Sequence, residues 1–490
     1  MGSPKTGIMK KLLFLFALLL PFCSLAQIQE ATLLGTWDDT TLVGSSFYDN
    51  TYNEIWGFAK SGREYAILGS TAGTHIIEVT NPGAPAEAFF IPGAVQGGQV
   101  IHRDYHDLNG FLYAVCDEGS STLQIINLNE LPEAAPVIYD SQETLRNAHN
   151  IFIDEPAKRL YCFAAFGGEE GYSAMRIYDI SDPYQLVFLA EHNNFGGLIA
   201  GHVHDGYVRN HLAFLNCGNA GFAIVDFTDP QYPVTLNTLT NYPFAGYNHS
   251  GWTTDDCSFY YMADENHGYN MKVIDVSNPC EAEVVASFDA GVTSPSSIPH
   301  NQIVACGYLY VSYYYDGLRI YDLSDPEHPE LVSYYDTYPL ADGVSYKGAW
   351  GIYPFLPSGN ILVSDMQSGL FVFEGMGDNC YGNQVISDCN ISCMITAADE
   401  ENHFPDINIF PQPAKDHLNV NINLTEAQKS VKFHIYDITG RLVMRFPERD
   451  LLEGENQMEL NLDRKIAPGF YLLYLNNNTF EAGTKVIIGQ

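Results

Sequence analysis

Five times along this chain an aspartate or asparagine is followed directly by proline at the end of an apolar run, at Asn81-Pro82, Asp182-Pro183, Asp229-Pro230, Asn278-Pro279 and Asp325-Pro326. Asn127-Leu128-Asn129-Glu130-Leu131-Pro132 is a degenerate sixth copy. The prolines fall at steps of 47 to 51 residues, the period of a four-stranded propeller blade and longer than most helical repeats. The clearest unit runs from Gly307 to Asp336. Tyr308 to Tyr314 is an aromatic and β-branched run, Asp316-Gly317 is a hairpin signal, Leu318 to Leu323 alternates, and Ser324-Asp325-Pro326 breaks the ladder before Glu330 to Tyr335 resumes it.

A seventh copy, Asn360 to Asp365 and Gly369 to Glu374, stops after two strands without its proline. The missing outer strand is expected from the other end, at Ala31 to Trp37, because pairing the two removes two open sheet edges. The expected fold is therefore all-β, a seven-bladed propeller over 31–376. A Cys-containing linker over 377–403 follows, and then a small β-sandwich over 404–490.

With 46% apolar and 13% aromatic residues in 490, the chain has enough material for one large β body and a smaller one. Its 23 basic against 59 acidic residues give a formal charge of −36, which excludes nucleic acid and anionic membrane surfaces as natural partners and equally suits plain solubility. Met9-Lys10-Lys11, the apolar run Leu12 to Leu20 and Ser24-Leu25-Ala26 have the three parts of a secretory signal, so 1–26 is expected to be removed. The run is about half the length of a membrane span.

Nine cysteines remain after that cleavage, an odd number. Cys116, Cys162 and Cys217 sit in second strands, where small buried hydrophobes belong. Cys257 and Cys280 are placed to bridge within the fifth repeat, and Cys306 has no evident partner. Cys380, Cys389 and Cys393 lie in a Gly, Asn and Ser-rich stretch and suggest a disulfide staple, since paired C-x-x-C units for a metal are absent.

From Phe404 onward the chain becomes a compact run of alternating strands, as in an independent sandwich of roughly 85 residues. Pro411-Gln412-Pro413-Ala414, the turn Asp437-Ile438-Thr439-Gly440-Arg441, the hairpin Pro468-Gly469-Phe470-Tyr471 and Lys485 before a short apolar end resemble the C-terminal sorting domain of type IX secretion in Bacteroidetes. That resemblance implies the outer-membrane secretion machinery as a partner of 404–490, and a secreted or outer-surface location. The repeats carry a second resemblance. Glu54-Ile55-Trp56-Gly57, Ala148-His149-Asn150, His249-Ser250-Gly251-Trp252, Gly317-Leu318-Arg319-Ile320 and Gly348-Ala349-Trp350, among others, are similar to the LVIVD-repeat propellers of the choice-of-anchor B family. This implies surface display without implying a reaction.

Each repeat opens with a two-residue pair ahead of its second strand: Trp56-Gly57, Arg103-Asp104, His149-Asn150, His204-Asp205, His249-Ser250, His300-Asn301 and Trp350-Gly351. In a four-stranded meander the innermost strand begins on the face where the second strand ends. These pairs should therefore share a rim with Asp117-Glu118, Glu169-Glu170, Asp264-Glu265, Asp316 and Asp365. Imidazoles and carboxylates converging on one channel mouth suit a metal, calcium or zinc, held by His149, His204, His249 and His300, or acid/base chemistry. The alternative is that each histidine bonds the next blade's backbone and closes the ring. The remaining ligand-binding candidates are Trp56, Arg103, Asp104, Asn150, Asp205, Asn301 and Trp350.

The chain has no nucleophile elbow, phosphate loop or HExxH. A surface binding or adhesion platform for an extracellular protein or glycan is favoured. A metal-assisted extracellular hydrolase or lyase using the histidine rim is the alternative, and a purely structural surface component the third.

Overall fold

The computed structural model describes residues 2, 28–168, 171–292, 296–377, 389, 407–437, 442–462, 466–477 and 481–489. The signal segment, Glu169-Glu170, Cys380, Cys393 and the turn over 438–441 lie outside the described residues. The chain divides into two units, Met1–Met394 and Ile395–Gln490. Among the described residues the structure is almost wholly β, with one short 3-10 turn at Leu128–Glu130. No described helix is long and apolar enough to cross a membrane.

The first unit is a β-propeller. Its four-stranded meanders follow one another in chain order, the first being Tyr52–Lys60, Arg63–Ser70, Gly73–Glu78 and Ala86–Pro92. The innermost strands are Tyr52–Lys60, Arg103–Leu108, Asn150–Asp154, Asp205–Arg209, Asn248–Thr253, Gln302–Ala305 and Ala349–Tyr353, and each adjoins the next, the last returning to the first. Middle strands such as Leu212–Asn216 are buried along their whole length, which is why they read as unbroken apolar runs, whereas outer strands such as Val187–His192 keep a wet face.

Local hydrogen bonding accounts for the repeated punctuation. The carboxylates of Asp179, Asp226, Asp275 and Asp322 each accept from the backbone N–H two residues on, at 2.8, 2.7, 2.9 and 2.7 Å. These Asx turns end the third strand, and the proline that follows cannot donate to a ladder.

The ring is closed by Leu33–Trp37, which pairs antiparallel with Gly369–Phe373 and supplies the outer strand of the last meander. Gly35 lies so close to Pro82 that a Cβ would stand 2.2 Å from its carbonyl oxygen. Just before it, Gln29–Glu30 pairs parallel with Ser333 and Tyr334 of the preceding meander, so one N-terminal segment joins two neighbouring sheets.

The expected Cys257–Cys280 bridge is not made: Cys257 bonds Cys389, 132 residues later, at a Cα separation of 5.3 Å. Cys257 lies in the first turn of the fifth meander and Cys280 in its third. Two strand spacings, roughly 10 Å, separate those turns, beyond the reach of a disulfide. Cys280 and Cys306 are disulfide-bonded as well, and Cys116, Cys162 and Cys217 are free and buried.

The second unit has a three-stranded sheet containing His417–Leu424 and a four-stranded sheet containing Gln428–Asp437 and Gly469–Asn476. Leu418, Val420, Phe433, Ile435, Leu473 and Val486 are buried together in one core.

Candidate ligand and metal site in the central channel

Strand starts bring the histidines together. His149 ends the turn before Asn150–Asp154, and His204 and His300 stand in the same place one residue ahead of Asp205–Arg209 and Gln302–Ala305 or nearly so. Their rings form a chain. Centroids are 4.4 Å apart from His102 to His149, 4.2 Å to His204, 4.0 Å to His249 and 4.5 Å to His300. Trp350 completes the circle, 4.7 Å from His300 and 5.5 Å from His102. These rings, with Asp117, Glu118, Glu265, Tyr48, Tyr314 and Tyr346, line an open cavity of about 230 Å³.

The backbone-bonding role foreseen for the histidines is present in these rings. His204 Nδ1 lies 3.2 Å from the His249 carbonyl and His300 Nδ1 2.5 Å from the Trp350 carbonyl, so each donates to the next sheet and keeps Nε2 for other work. Burial holds His102, His204 and His249 well below the usual imidazole range and lowers His300 to about 3. His149 moves the other way: burial works against its charge, but the Asp117 carboxylate 2.8 Å away outweighs it. His102 and His249 have the backbones of His149 and His300, in turn, as their hydrogen-bond partners.

Below the mouth Glu54, Asp104, Asn150, Asp205 and Asn301 line a second cavity. Asn301 donates to Glu54 at 2.8 Å, and Asp104 and Asp205 accept backbone N–H groups of Ile151 and Gly206 at 2.7 Å. Burial pushes Glu54 and Asp205 up to about 7, and burial together with the charge of Glu54 raises Asp104 well above the carboxylate range. Gly351 takes this place in the last meander because a Cβ there would meet Glu54 Oε1 at 1.9 Å. Further down, Trp56, His106, Phe152, Tyr207, Trp252 and Tyr353 surround the opposite opening.

Two sequence assignments therefore move. Trp56 does not share the histidine rim; the first meander begins at Tyr52, so Asn53-Glu54 occupies the paired slot and Trp56 lies two residues beyond Glu54, at the far end of the channel. Arg103 turns away from the mouth, its Nε donating to Ser70 and Nη2 to Val95, and ties the first two sheets together. His149, His204, His249, His300 and Trp350 do share the mouth, with Asn150 and Asn301 reaching both cavities. The four histidines do not form one ligand set. Neighbours in the ring are close but non-neighbours face each other across the channel, and among the described residues the donor atoms close enough to share an ion belong to His204, His249 and Glu265.

His102 was missed because its meander inserts Arg103 between it and Asp104; its position 47 residues ahead of His149 was the available signal. Of the expected turn carboxylates, Asp117, Glu118 and Glu265 reach the mouth. Asp264 pairs with Lys272 at 2.7 Å, Asp316 accepts from Ser297, and Asp365 from the N–H groups of Gln367 and Ser368.

Residues 408–489 match the Secretion system C-terminal sorting domain, and 258–290 and 303–337 match the LVIVD repeat. The chain thus carries LVIVD repeats in its propeller and a C-terminal sorting domain, which directs it through type IX secretion to a secreted or cell-surface location. No curated protein matches it. Among solved structures it is similar to the periplasmic gluconolactonase PpgL of Pseudomonas aeruginosa, at 10% identity over 84% of this chain and 99% of that one with a TM-score of 0.48. The propeller domain of Cps50 (Swd1) from Myceliophteria thermophila gives 10% identity, 70% and 98% coverage and a TM-score of 0.47. The WD40 repeats of RRP9 give 10%, 71%, 99% and 0.47.

Proposed function

We propose that this exported propeller is a glycan-binding protein whose ligand enters the histidine mouth of the channel. The observation that carries the reading is the make-up of that mouth: aromatic walls from Tyr48, Tyr346 and Trp350 above the carboxylates Asp117, Glu118 and Glu265. Rings offer flat apolar faces to the C–H face of a sugar, and carboxylates accept from its hydroxyls.

The surrounding surface supports it. Segments that carry the chain from one sheet's outer strand to the next sheet's innermost strand end at the mouth, and they hold Phe47, Ile199, Phe244 and Val344 at 72, 75, 79 and 88% exposure. Large apolar side chains left this open mark contact surfaces when they gather on one face.

The test is affinity electrophoresis of the purified protein through gels containing a panel of soluble neutral and acidic polysaccharides. At least one should retard the wild type, and Tyr346→Ala should lose most of that retardation with an unchanged melting temperature. Retardation by none, or equal retardation of both proteins, sinks the proposal.

A further inference from the structure

We infer that His204, His249 and Glu265 hold a zinc-class divalent ion in the wall of the mouth, with a coordination position left open to the cavity. This goes beyond sugar binding and does not depend on it. One donor atom from each of the three residues lies within 4.8 Å of the other two, and His249 Nε2 is 3.8 Å from Glu265 Oε2. A tetrahedral zinc bound at about 2.0–2.1 Å holds its ligand atoms roughly 3.4 Å apart. Inward movement of about an ångström, within side-chain reach, therefore closes the set.

The surroundings orient the donors as the outer shell of a metal site does. His204 places Nδ1 against the His249 carbonyl at 3.2 Å, which fixes its ring and leaves Nε2 with a lone pair. Glu265 receives the Tyr314 hydroxyl on Oε1 at 2.7 Å, and it is the other oxygen, Oε2, that faces His249. His249 is only 2% exposed, with the His300 backbone as a hydrogen-bond partner of its ring. Its Nε2 is the atom turned to Glu265 Oε2, and an ion between the two would join them.

The donor types choose the ion. Two imidazoles and one carboxylate suit zinc and its first-row neighbours, whereas calcium and magnesium take oxygens. Three protein ligands are the complement of zinc sites that keep a position for water or a ligand, and here that position would open on the cavity. His149 and His300 do not belong to this group of donor atoms.

The full chain, stripped with a chelator and dialysed, should be titrated with zinc by calorimetry and with cobalt(II) by visible absorption, in buffer without polysaccharide. One equivalent per chain is expected, with low-symmetry cobalt bands. Glu265→Gln, which retains an acceptor for Tyr314, should weaken binding at least 100-fold, as should His204→Gln, while the metal-free melting temperature of Glu265→Gln stays within a few degrees of wild type. His328→Gln, on an exposed histidine, should change nothing. The inference is overturned if the stripped wild type takes up no stoichiometric ion, if Glu265→Gln binds as wild type does, or if His328→Gln abolishes uptake. A chain that binds zinc but no polysaccharide keeps this inference and loses the previous reading; the reverse result does the opposite.

Discussion

The two ends of the central channel are built from the same set of innermost strands and differ in what they bring together. At the far end the rings of Trp56, His106, Phe152, Tyr207 and Trp252 pack on one another with neighbouring centroids 4.2 to 5.2 Å apart, and the indole N–H of Trp56 is spent on Asp107 at 2.9 Å. At the histidine end the spacing is similar, yet the rings carry ring nitrogens and stand among the carboxylates Asp117, Glu118 and Glu265. Packing alone would favour the first solution at both ends, since burying polar groups costs free energy unless each is hydrogen-bonded. The difference teaches that ring closure needs only one plugged end and leaves the other free to carry polar, binding-competent groups.

The contrast breaks altogether if the ring opens. Deleting residues 28–37 removes the strand that completes the last meander and the short one paired to its neighbour, exposing two sheet edges at once. Cooperative unfolding of the first unit should be lost or its midpoint fall by well over 10 °C, as expected for a loss of many kcal/mol. A calorimetric trace unchanged by the deletion would mean that closure does not hold either end in place. A smaller lesion separates the ends. Phe152→Ala empties part of the plug and should cost about 3–5 kcal/mol without altering zinc uptake, whereas His204→Gln loses one hydrogen bond of about 1 kcal/mol. Chemical denaturation of the two variants measures the ratio; equal losses would show the histidines to be plug as well.

What was legible in the sequence follows the same division. The turn punctuation could be read because an Asx turn is made within three residues, and Asp179, Asp226, Asp275 and Asp322 each carry it locally. The closing strand could be read because the last repeat lacks one and the N-terminus offers one. The histidine mouth could be read from its recurrence. Whatever depended on register or on distant neighbours could not. A one-residue offset hid His102, and Trp56 imitated Trp350 while standing three residues further along its strand. Cys257 finds Cys389 only once the meanders are stacked in a ring. The ligand set of two histidines with Glu265, in place of four histidines, is a matter of angular spacing around the channel, which no linear pattern records.

Between the two ends lies Glu54, whose titration sharpens the comparison with the smallest change. It is 7% exposed, and burial first, offset in part by bonds from Ile55 and Asn301, raises it from 4.5 to about 7. Below pH 4.5 the carboxyl is protonated in both folded and unfolded chains, and the shift contributes nothing. As pH rises from 4.5 to 7 the unfolded chain releases this proton while the folded one retains it, so stability falls; above 7 both are ionised and the loss is complete. The full loss is on the order of 3 kcal/mol. Glu54→Gln keeps an acceptor for Asn301 and removes the titration. Its denaturation midpoint should therefore fall less steeply than wild type between pH 4.5 and 8, with the two curves closest at the acid end. It should also relieve Asp104, whose proton the Glu54 charge helps to hold, flattening the profile further. Parallel curves for the two proteins across that range would show that the middle of the channel is wetter than its geometry implies, and would put its carboxylates with the open mouth instead of with the plug.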